Sequence, residues 1–271
     1  MNKVVAGDSA EGDDESKRPV VETQDVIRWI TEPTGPFSRV SQGGERPFRP
    51  TLRPRIPVVS CLDDGGVASG QDFRLRDERF LIGRTEGDVT VSCDKTISSK
   101  HAEISRVNHR GHWEWVLEDL GTANGTFVRV ASSVFFDDTI VILGGRRFRL
   151  ESASASLSAG DDDGTRYVDS RETHLGIWPK LVETGKDEKG LSFEIRQPRV
   201  TLGALGGGCD ISIDDPCLAK HHATITLEAS GRLKIRAEKT VNGVWANVQS
   251  IKLTPYCFFR CGEQVFRFVL P

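Results

Sequence analysis

Apolar residues in most of this chain occur in short runs separated by turn-forming residues. From Ile56 onward such runs recur at close spacing, with glycine, aspartate or asparagine between them. Short, closely spaced runs with this punctuation favour β-strands that pack as a sandwich or barrel. No segment keeps helical periodicity over the length of an ordinary helix, so the pattern predicts an all-β chain. The clearest predicted strands in the first half include residues 80–82, 89–91, 102–104, 113–117, 127–128, 139–143 and 148–150.

Two segments lack this pattern. Residues 1–55 are rich in proline, glycine, serine and charge, and they contain one apolar island, Val26–Ile30. Such a composition cannot bury enough apolar surface to offset the entropy lost on ordering, so we expect a mostly disordered N-terminal tail. Residues 152–175 begin with small, polar and acidic residues, as expected of a flexible linker.

The two strand-rich segments resemble each other. Four short blocks of the first half recur in the same order in the second half, at an offset of about 120 residues. This repetition predicts a duplicated domain, with one copy at 56–151 and the other at 176–271. The paired blocks are 81–84 with 201–204, 88–91 with 210–213, 99–104 with 220–225, and 122–125 with 240–243.

Overall charge argues against two classes of partner. The net charge is −3 and the isoelectric point is near 6.1, which disfavours attraction to nucleic acid or to an anionic membrane. No run approaches the roughly 20 apolar residues of a membrane span. Residues 1–16 are acidic and lack the apolar stretch of a secretory signal, so we expect the protein in the cytoplasm.

The cysteines show no metal-binding spacing. None of the six forms a C-x₂-C pair, and Cys257 and Cys261 have no histidine nearby in sequence. We interpret them as scattered buried thiols that behave as small apolar side chains. A zinc site and a structural disulfide remain alternatives. No cofactor or metal is predicted.

Three blocks of the first half carry the chemistry of the chain. They are Phe80-Leu-Ile-Gly-Arg84, Ile97-Ser-Ser-Lys-His-Ala102 and Asp119-Leu-Gly-Thr-Ala-Asn-Gly-Thr-Phe127. In spacing and order they resemble the forkhead-associated (FHA) domain, a phosphothreonine-recognition module. Together with the repeat, the resemblance implies two tandem FHA-like β-sandwiches. The function then rests on loops at one end of a rigid scaffold.

The resemblance implies roles for individual residues. Arg84 takes the position of the arginine that binds phosphate, for which a planar guanidinium is well suited. Ser98 matches the serine whose hydroxyl donates to the phosphate, and Thr122 matches a small hydroxyl residue at the same place. Asn124 matches the residue that binds the main chain of the ligand. Ser99 stands where the family often has arginine, which removes one cation near the ligand.

Three further residues take structural positions in the pattern: Gly83, His101 and Gly125. His101 has serines nearby in sequence, yet nothing resembles a nucleophile elbow or a hydrolase triad. In the family this histidine braces the recognition loops. We therefore predict that the protein is not an enzyme.

The second copy lacks the phosphate-binding residues. Ala204 and Ala219 stand where the first copy has Arg84 and Ser98, although Asn242 is retained. This copy is predicted to be degenerate, serving packing, dimerisation or unphosphorylated partners.

The resulting hypothesis is an adaptor that binds phosphothreonine in a protein partner, such as a Ser/Thr kinase or its substrate. A phosphorylated residue of the tail, Thr23, Thr31 or Thr34, could instead occupy the Arg84 site within the same chain, because tethering raises its effective concentration. The alternative is a structural interaction scaffold that does not recognise phosphate.

Overall fold

The structure is a computed structural model that describes residues 21–22, 55–64, 69–151, 178–185, 190–229 and 231–271. Within these ranges there is no helix, which confirms the prediction of an all-β chain. Accordingly, no helix long and apolar enough to cross a membrane is found in the described part. Apart from residues 21–22 and 55, the predicted tail at 1–55, with Thr23, Thr31 and Thr34, lies outside the described residues. The same holds for the predicted linker at 152–175.

The described residues form the following strands, numbered in chain order. They are β1 (Val21–Glu22), β2 (Val58–Leu62), β3 (Gly70–Arg74), β4 (Arg79–Gly83), β5 (Val89–Thr90), β6 (Ala102–His109), β7 (His112–Asp119), β8 (Thr126–Val130), β9 (Ser132–Phe135), β10 (Ile140–Leu143), β11 (Arg146–Glu151), β12 (Lys180–Glu183), β13 (Ser192–Glu194), β14 (Arg199–Ala204), β15 (Ile211–Ile213), β16 (Ala223–Leu227), β17 (Leu233–Ala237), β18 (Val244–Val248), β19 (Ser250–Lys252), β20 (Tyr256–Cys261) and β21 (Gln264–Val269).

These strands form three sheets. A ten-stranded sheet has the order β13-β12-β11-β10-β18-β8-β20-β21-β2-β3. A five-stranded sheet has the order β19-β7-β6-β4-β5, and a six-stranded sheet has the order β1-β9-β17-β16-β14-β15. Apart from β1, the arrangement is symmetric about the antiparallel pair β8 and β18, in which Val128 lies opposite Ala246.

Strands are exchanged between the two copies of the repeat. Strand β19, from the second copy, pairs with β7 of the first, and β20 and β21 pair with β8 and β2. In the reverse direction, β9 pairs with β17 of the second copy and β11 pairs with β12. We use "first sandwich" for β2–β8 with β19–β21, and "second sandwich" for β9–β18. The bounds 56–151 and 176–271 stay a prediction, but strand pairing crosses the boundary between them.

A short connection explains the exchange. Only Ala131 separates β8 from β9, and only Gln249 separates β18 from β19. A β-hairpin needs at least about two residues in its loop, so neither β9 nor β19 can fold back onto the strand before it. Each chain segment instead continues straight into the other sandwich.

One apolar core runs through both sandwiches. Alternating positions face inward, as in β4, where Phe80 and Ile82 are buried and Arg79 is exposed. The inward residues of the ten-stranded sheet, such as Val128 and Ala246, belong to the same buried cluster. A continuous core of this kind couples the folding of the two halves.

The cysteines are only partly as predicted. All six are free, and Cys257 and Cys261 are buried, whereas Cys93 and Cys217 are exposed. Burial raises the pKa of Cys257 to about 12, as expected of an inert core thiol. Within the described residues, no group of three histidine, cysteine or acidic side chains could hold a metal ion.

Candidate functional site

The first two loops of the site are joined by their backbones. Arg84 directly follows β4, and its backbone N–H donates to the Ser98 carbonyl at 2.9 Å. Two residues later, the N–H of Glu86 donates to the Ser99 carbonyl at 3.1 Å. A Cβ atom on Gly83 would overlap the carbonyl oxygens of Ser99 and Glu86. Glycine at position 83 therefore lets the arginine loop and the serine loop touch.

His101 connects the serine loop to the third loop. It is fully buried, and its Nδ1 accepts a hydrogen bond from the Ser98 N–H at 3.1 Å. The proton then resides on Nε2, which donates to the Gly125 carbonyl at 3.3 Å. Both ring nitrogens are thus used for bracing, and neither is free for proton transfer.

Asp119 organises the third loop, and the sequence interpretation missed it. Its carboxylate accepts from the Thr122 N–H and hydroxyl at 2.8 Å each, and from the buried Thr126 hydroxyl at 2.7 Å. The Thr122 hydroxyl also accepts from the Gly125 N–H at 3.0 Å. A carboxylate at a strand end, three residues before a threonine, is a turn signal that could have identified Asp119. The Thr122 hydroxyl serves this loop, and its contact with a phosphate stays a prediction.

Arg84 and Ser98 have unused hydrogen-bonding capacity. Both are half-buried, and neither the Arg84 guanidinium nor the Ser98 hydroxyl bonds to any described residue. By contrast, Lys100 is paired with Glu86 at 3.3 Å. Ser99, between Ser98 and Lys100 in the sequence, is exposed. The Arg84 guanidinium and the Ser98 hydroxyl are thus available to a ligand beside the loops.

Asn124 links the third loop to the second. Its Nδ2 donates to the Thr96 carbonyl at 2.7 Å, while its Oδ1 has no partner among the described residues. Its own carbonyl accepts from Arg147 Nη1 at 3.2 Å. One end of the amide therefore holds the loops together, and the other end can accept a hydrogen bond from a ligand.

The C-terminal half of the chain completes this site. Asp119 and Gln249 exchange two hydrogen bonds, from the Asp119 N–H to the Gln249 carbonyl at 2.8 Å and from Gln249 Nε2 to the Asp119 carbonyl at 3.1 Å. The N–H of Glu263 donates to Asp94 Oδ2 at 2.8 Å, in the loop that carries Ser98. Strand exchange therefore places residues of the second copy against the loops of the first.

The second sandwich repeats the bracing without the predicted phosphate-binding groups. His222 Nδ1 accepts from the Ala219 N–H at 3.2 Å, and its Nε2 donates to the Gly243 carbonyl at 2.8 Å. Asn242 again links two loops, through the Cys217 carbonyl at 2.8 Å. The alanines at 204 and 219 supply neither a cation nor a hydroxyl.

The buried histidines predict a pH dependence of stability. Burial lowers the pKa of His101 and of His222 below the ordinary value of 6.5, although the carbonyls that accept from them oppose the shift. The unfolded chain therefore takes up protons first, and the free energy of unfolding should decrease as the pH falls through about 6.5 toward the lower native pKa values. Urea unfolding between pH 7.5 and 5.5 measures this loss.

Two variants and one control test whether the buried histidines cause this loss of stability at low pH. The slope of the unfolding free energy against pH should decrease in His101→Gln and in His222→Gln. It should stay unchanged in the control His109→Gln, because His109 is exposed. An unchanged slope in both buried-histidine variants would contradict the assignment.

The family model and the curated relatives name the same family. The FHA domain family model matches residues 80–144 and 200–257. Among curated relatives, the FHA domain-containing protein FhaB is 38% identical over 63 residues, both in Mycobacterium tuberculosis (strain CDC 1551 / Oshkosh) and in Mycolicibacterium smegmatis (strain ATCC 700084 / mc(2)155). The match covers 23% of this chain and 38% of each relative, so the chain spans about two fifths of their length.

Three solved structures are similar to parts of the chain. Full-length yeast Pml1p is 19% identical, with a TM-score of 0.25 and coverage of 31% of this chain and 69% of that one. The FHA domain of the Chlamydia trachomatis CT664 protein is 24% identical, with a TM-score of 0.23 and coverage of 35% and 94%. Mycobacterium tuberculosis EmbR, solved in complex with a low-affinity phosphopeptide, is 22% identical, with a TM-score of 0.23 and coverage of 40% and 26%.

Proposed function

We propose that this chain, an FHA-domain protein with two copies of the domain, is a non-enzymatic adaptor that binds a phosphothreonine peptide through the loops of its first sandwich. The observation that carries the proposal is the half-buried Arg84 guanidinium, which has no partner among the described residues. It lies on a loop joined by backbone hydrogen bonds to the loop of Ser98. An unpaired cation held on a braced scaffold is suited to a ligand that brings its own anion.

The chemistry of the three loops supports a phosphorylated peptide over a free anion. A phosphothreonine carries a charge of about −1.5 to −2 and three acceptor oxygens. Arg84 donates to these oxygens, Ser98 adds a hydroxyl donor, and Ser99 and Thr122 lie on the same loops. The unused Oδ1 of Asn124 accepts from a main-chain N–H of the peptide. A phosphate group alone would bring no main-chain N–H for the Asn124 Oδ1 to accept from.

The bracing residues explain why the site can be specific. His101, Asp119 and Gly83 hold the loops before any ligand arrives, through the contacts described above. A preorganised site loses little conformational entropy on binding. The partner, in this proposal, is a Ser/Thr kinase, a kinase substrate, or the phosphorylated tail of the same chain at Thr23, Thr31 or Thr34.

Replacement of Arg84 tests the proposal. In Arg84→Ala, the loss of a charge-assisted hydrogen bond, worth roughly 1.5–3 kcal/mol, should weaken phosphothreonine-peptide binding by roughly 10-fold to 150-fold. Fluorescence anisotropy with a phosphothreonine peptide library measures this change. The matched control is Arg79→Ala, at the start of the strand that Arg84 follows; its side chain is 79% exposed and forms only a 3.7 Å pair with Glu103.

The result decides between the two candidate functions. The control should bind as the wild type does, and unphosphorylated peptides should bind to neither protein. Equal binding by the wild type and Arg84→Ala would reject the phosphate-dependent function and favour an interaction scaffold.

A further inference from the structure

One face of the ten-stranded sheet carries arginines over a buried aromatic cluster. Phe127, Trp245 and Phe258 form a second apolar cluster, separate from the main core. Two arginines, Arg147 and Arg260, adjoin the Phe127 ring on this face. They come from β11 and β20, far in sequence from the loops that carry Arg84. The sequence motifs around Arg84, Ser98 and Asn124 therefore could not indicate these two arginines.

Arg147 reaches from its strand to the recognition loops. Its guanidinium carbon lies 5.2 Å from the centroid of the Phe127 ring, and Nη1 donates to the Asn124 carbonyl at 3.2 Å. The side chain is half-buried and has no acidic partner within 4 Å among the described residues. Its sequence neighbour Arg146 differs, because it pairs with Glu183 at 2.9 Å.

Arg260 lies on the same face of the sheet as Phe127. It lies directly opposite Phe127 in the register of β8 and β20, so both side chains point to one face. Its Nε donates to the Gly262 carbonyl at 3.1 Å, and it too forms no salt bridge with a described residue. Burial lowers the pKa of Arg260 and the like charge of Arg147 lowers it further, while the carboxylates of Glu263 and Asp94, neither of which is within 4 Å of the guanidinium, oppose the shift.

Two partly buried cations that repel each other destabilise a protein unless an anion joins them. Burial without a counter-ion removes hydration, and the aromatic ring and carbonyl contacts replace only part of it. A carboxylate or phosphate can accept parallel hydrogen bonds from guanidinium groups. The pair therefore has the chemistry of an anion site in which no described carboxylate lies within 4 Å of either guanidinium.

We propose that Arg147 and Arg260 form a second anion-binding site beside Asn124, which takes a carboxylate or a second phosphate of the peptide held by Arg84. The inference rests on the proposed function, because Asn124 is the residue that adjoins both sites. It gives that function a sequence preference: the bound peptide carries an acidic or phosphorylated residue near its phosphothreonine. The exchanged strands bring both arginines to this place.

Peptide scanning tests the second site. A phosphothreonine peptide with neutral flanking residues is compared with peptides that carry one aspartate, or one phosphoserine, at each flanking position in turn. For the wild type, at least one flanking position should tighten binding by about tenfold, as expected for an added charge-assisted hydrogen bond. Phosphoserine that tightens binding where aspartate does not would identify phosphate as the source of the anion.

Variants assign the effect to the two arginines. Arg147→Gln and Arg260→Gln should each reduce the gain, and the double variant should abolish it. In Arg260→Gln, binding of the neutral-flank peptide should stay within about twofold, because Arg260 donates to the Gly262 carbonyl and to no residue of the Arg84, Ser98 or Asn124 loops that the structure describes. Because Arg147 also bonds the Asn124 carbonyl, the gain in each variant is measured relative to its own binding of the neutral-flank peptide. The control Arg146→Gln should keep the gain. No gain in the wild type, or a gain that persists in the double variant, would overturn the proposal.

A peptide-independent measurement separates this proposal from the proposed function. Sodium phosphate should raise the melting temperature of Arg84→Ala, and this rise should disappear when Arg147→Gln and Arg260→Gln are added. If wild type binds no phosphopeptide but the rise is present, the proposed function fails and the anion site stands. If the rise is absent and no flanking acid improves binding, the anion site fails.

Discussion

Deletion of residues 250–271 should abolish phosphopeptide binding even though it leaves every predicted phosphate-binding residue in the chain. The deleted segment contains β19, β20 and β21, which pair with β7, β8 and β2 of the first sandwich. It also removes Phe259, Phe266 and Phe268, all fully buried in the shared core. Truncating one buried phenylalanine costs about 3–5 kcal/mol, and a whole domain is stabilised by only about 5–15 kcal/mol. The truncated chain should therefore be unfolded by circular dichroism.

Separate fragments distinguish strand exchange from two independent domains. Residues 56–151 alone should fail to fold. In this fragment β9–β11 lack their partner strands from the second copy of the repeat, and β8 has lost both of its neighbours. Mixing the fragments 1–151 and 176–271 should restore a one-to-one complex that binds phosphopeptide, since the pairing strands lie in those two fragments. A fragment 56–151 that folds and binds with wild-type affinity would refute the exchange.

Gly83→Ala should destabilise the protein and remove binding together. The added Cβ meets backbone oxygens of Ser99 and Glu86, which cannot move aside as a flexible side chain would. Overpacking of this kind costs typically about 1–3 kcal/mol, and backbone contacts place it at the upper end. Relief of the overlap requires the arginine loop to separate from the serine loop, so the affinity for phosphopeptide should fall at least about tenfold. Urea unfolding and anisotropy measure the two effects.

Two other glycines serve as controls for this variant. In Gly203→Ala, the Cβ meets the Lys220 carbonyl in the same way, so stability should fall by a similar amount while folded protein still binds phosphopeptide. In Gly185→Ala, no atom lies within 4 Å of the Cβ, and both properties should be unchanged. Normal binding by Gly83→Ala would show that contact between the two loops is not needed for the site.

Local motifs could be predicted because each depends on residues close in sequence. The turn that places Arg84 after β4 requires glycine at position 83. The His101 ring reaches from the nearby Ser98 N–H to the Gly125 carbonyl, 24 residues away. Asp119 was missed because aspartate next to a turn is common, and only its three hydrogen-bond donors show its role.

The sequence by itself determined the all-β class, the presence of two FHA-like repeats and the order of the residues on the loops that we propose bind phosphate. Periodicity and short motifs carry this information because they reflect backbone geometry over a few residues. Only the tertiary structure decided which strands complete each sandwich. A connection of one residue, Ala131 or Gln249, is too short for a hairpin, so the chain continues into the other copy. As a result Gln249, Arg147 and Arg260 lie beside loops from which they are distant in sequence, and long-range pairing of this kind leaves no local pattern.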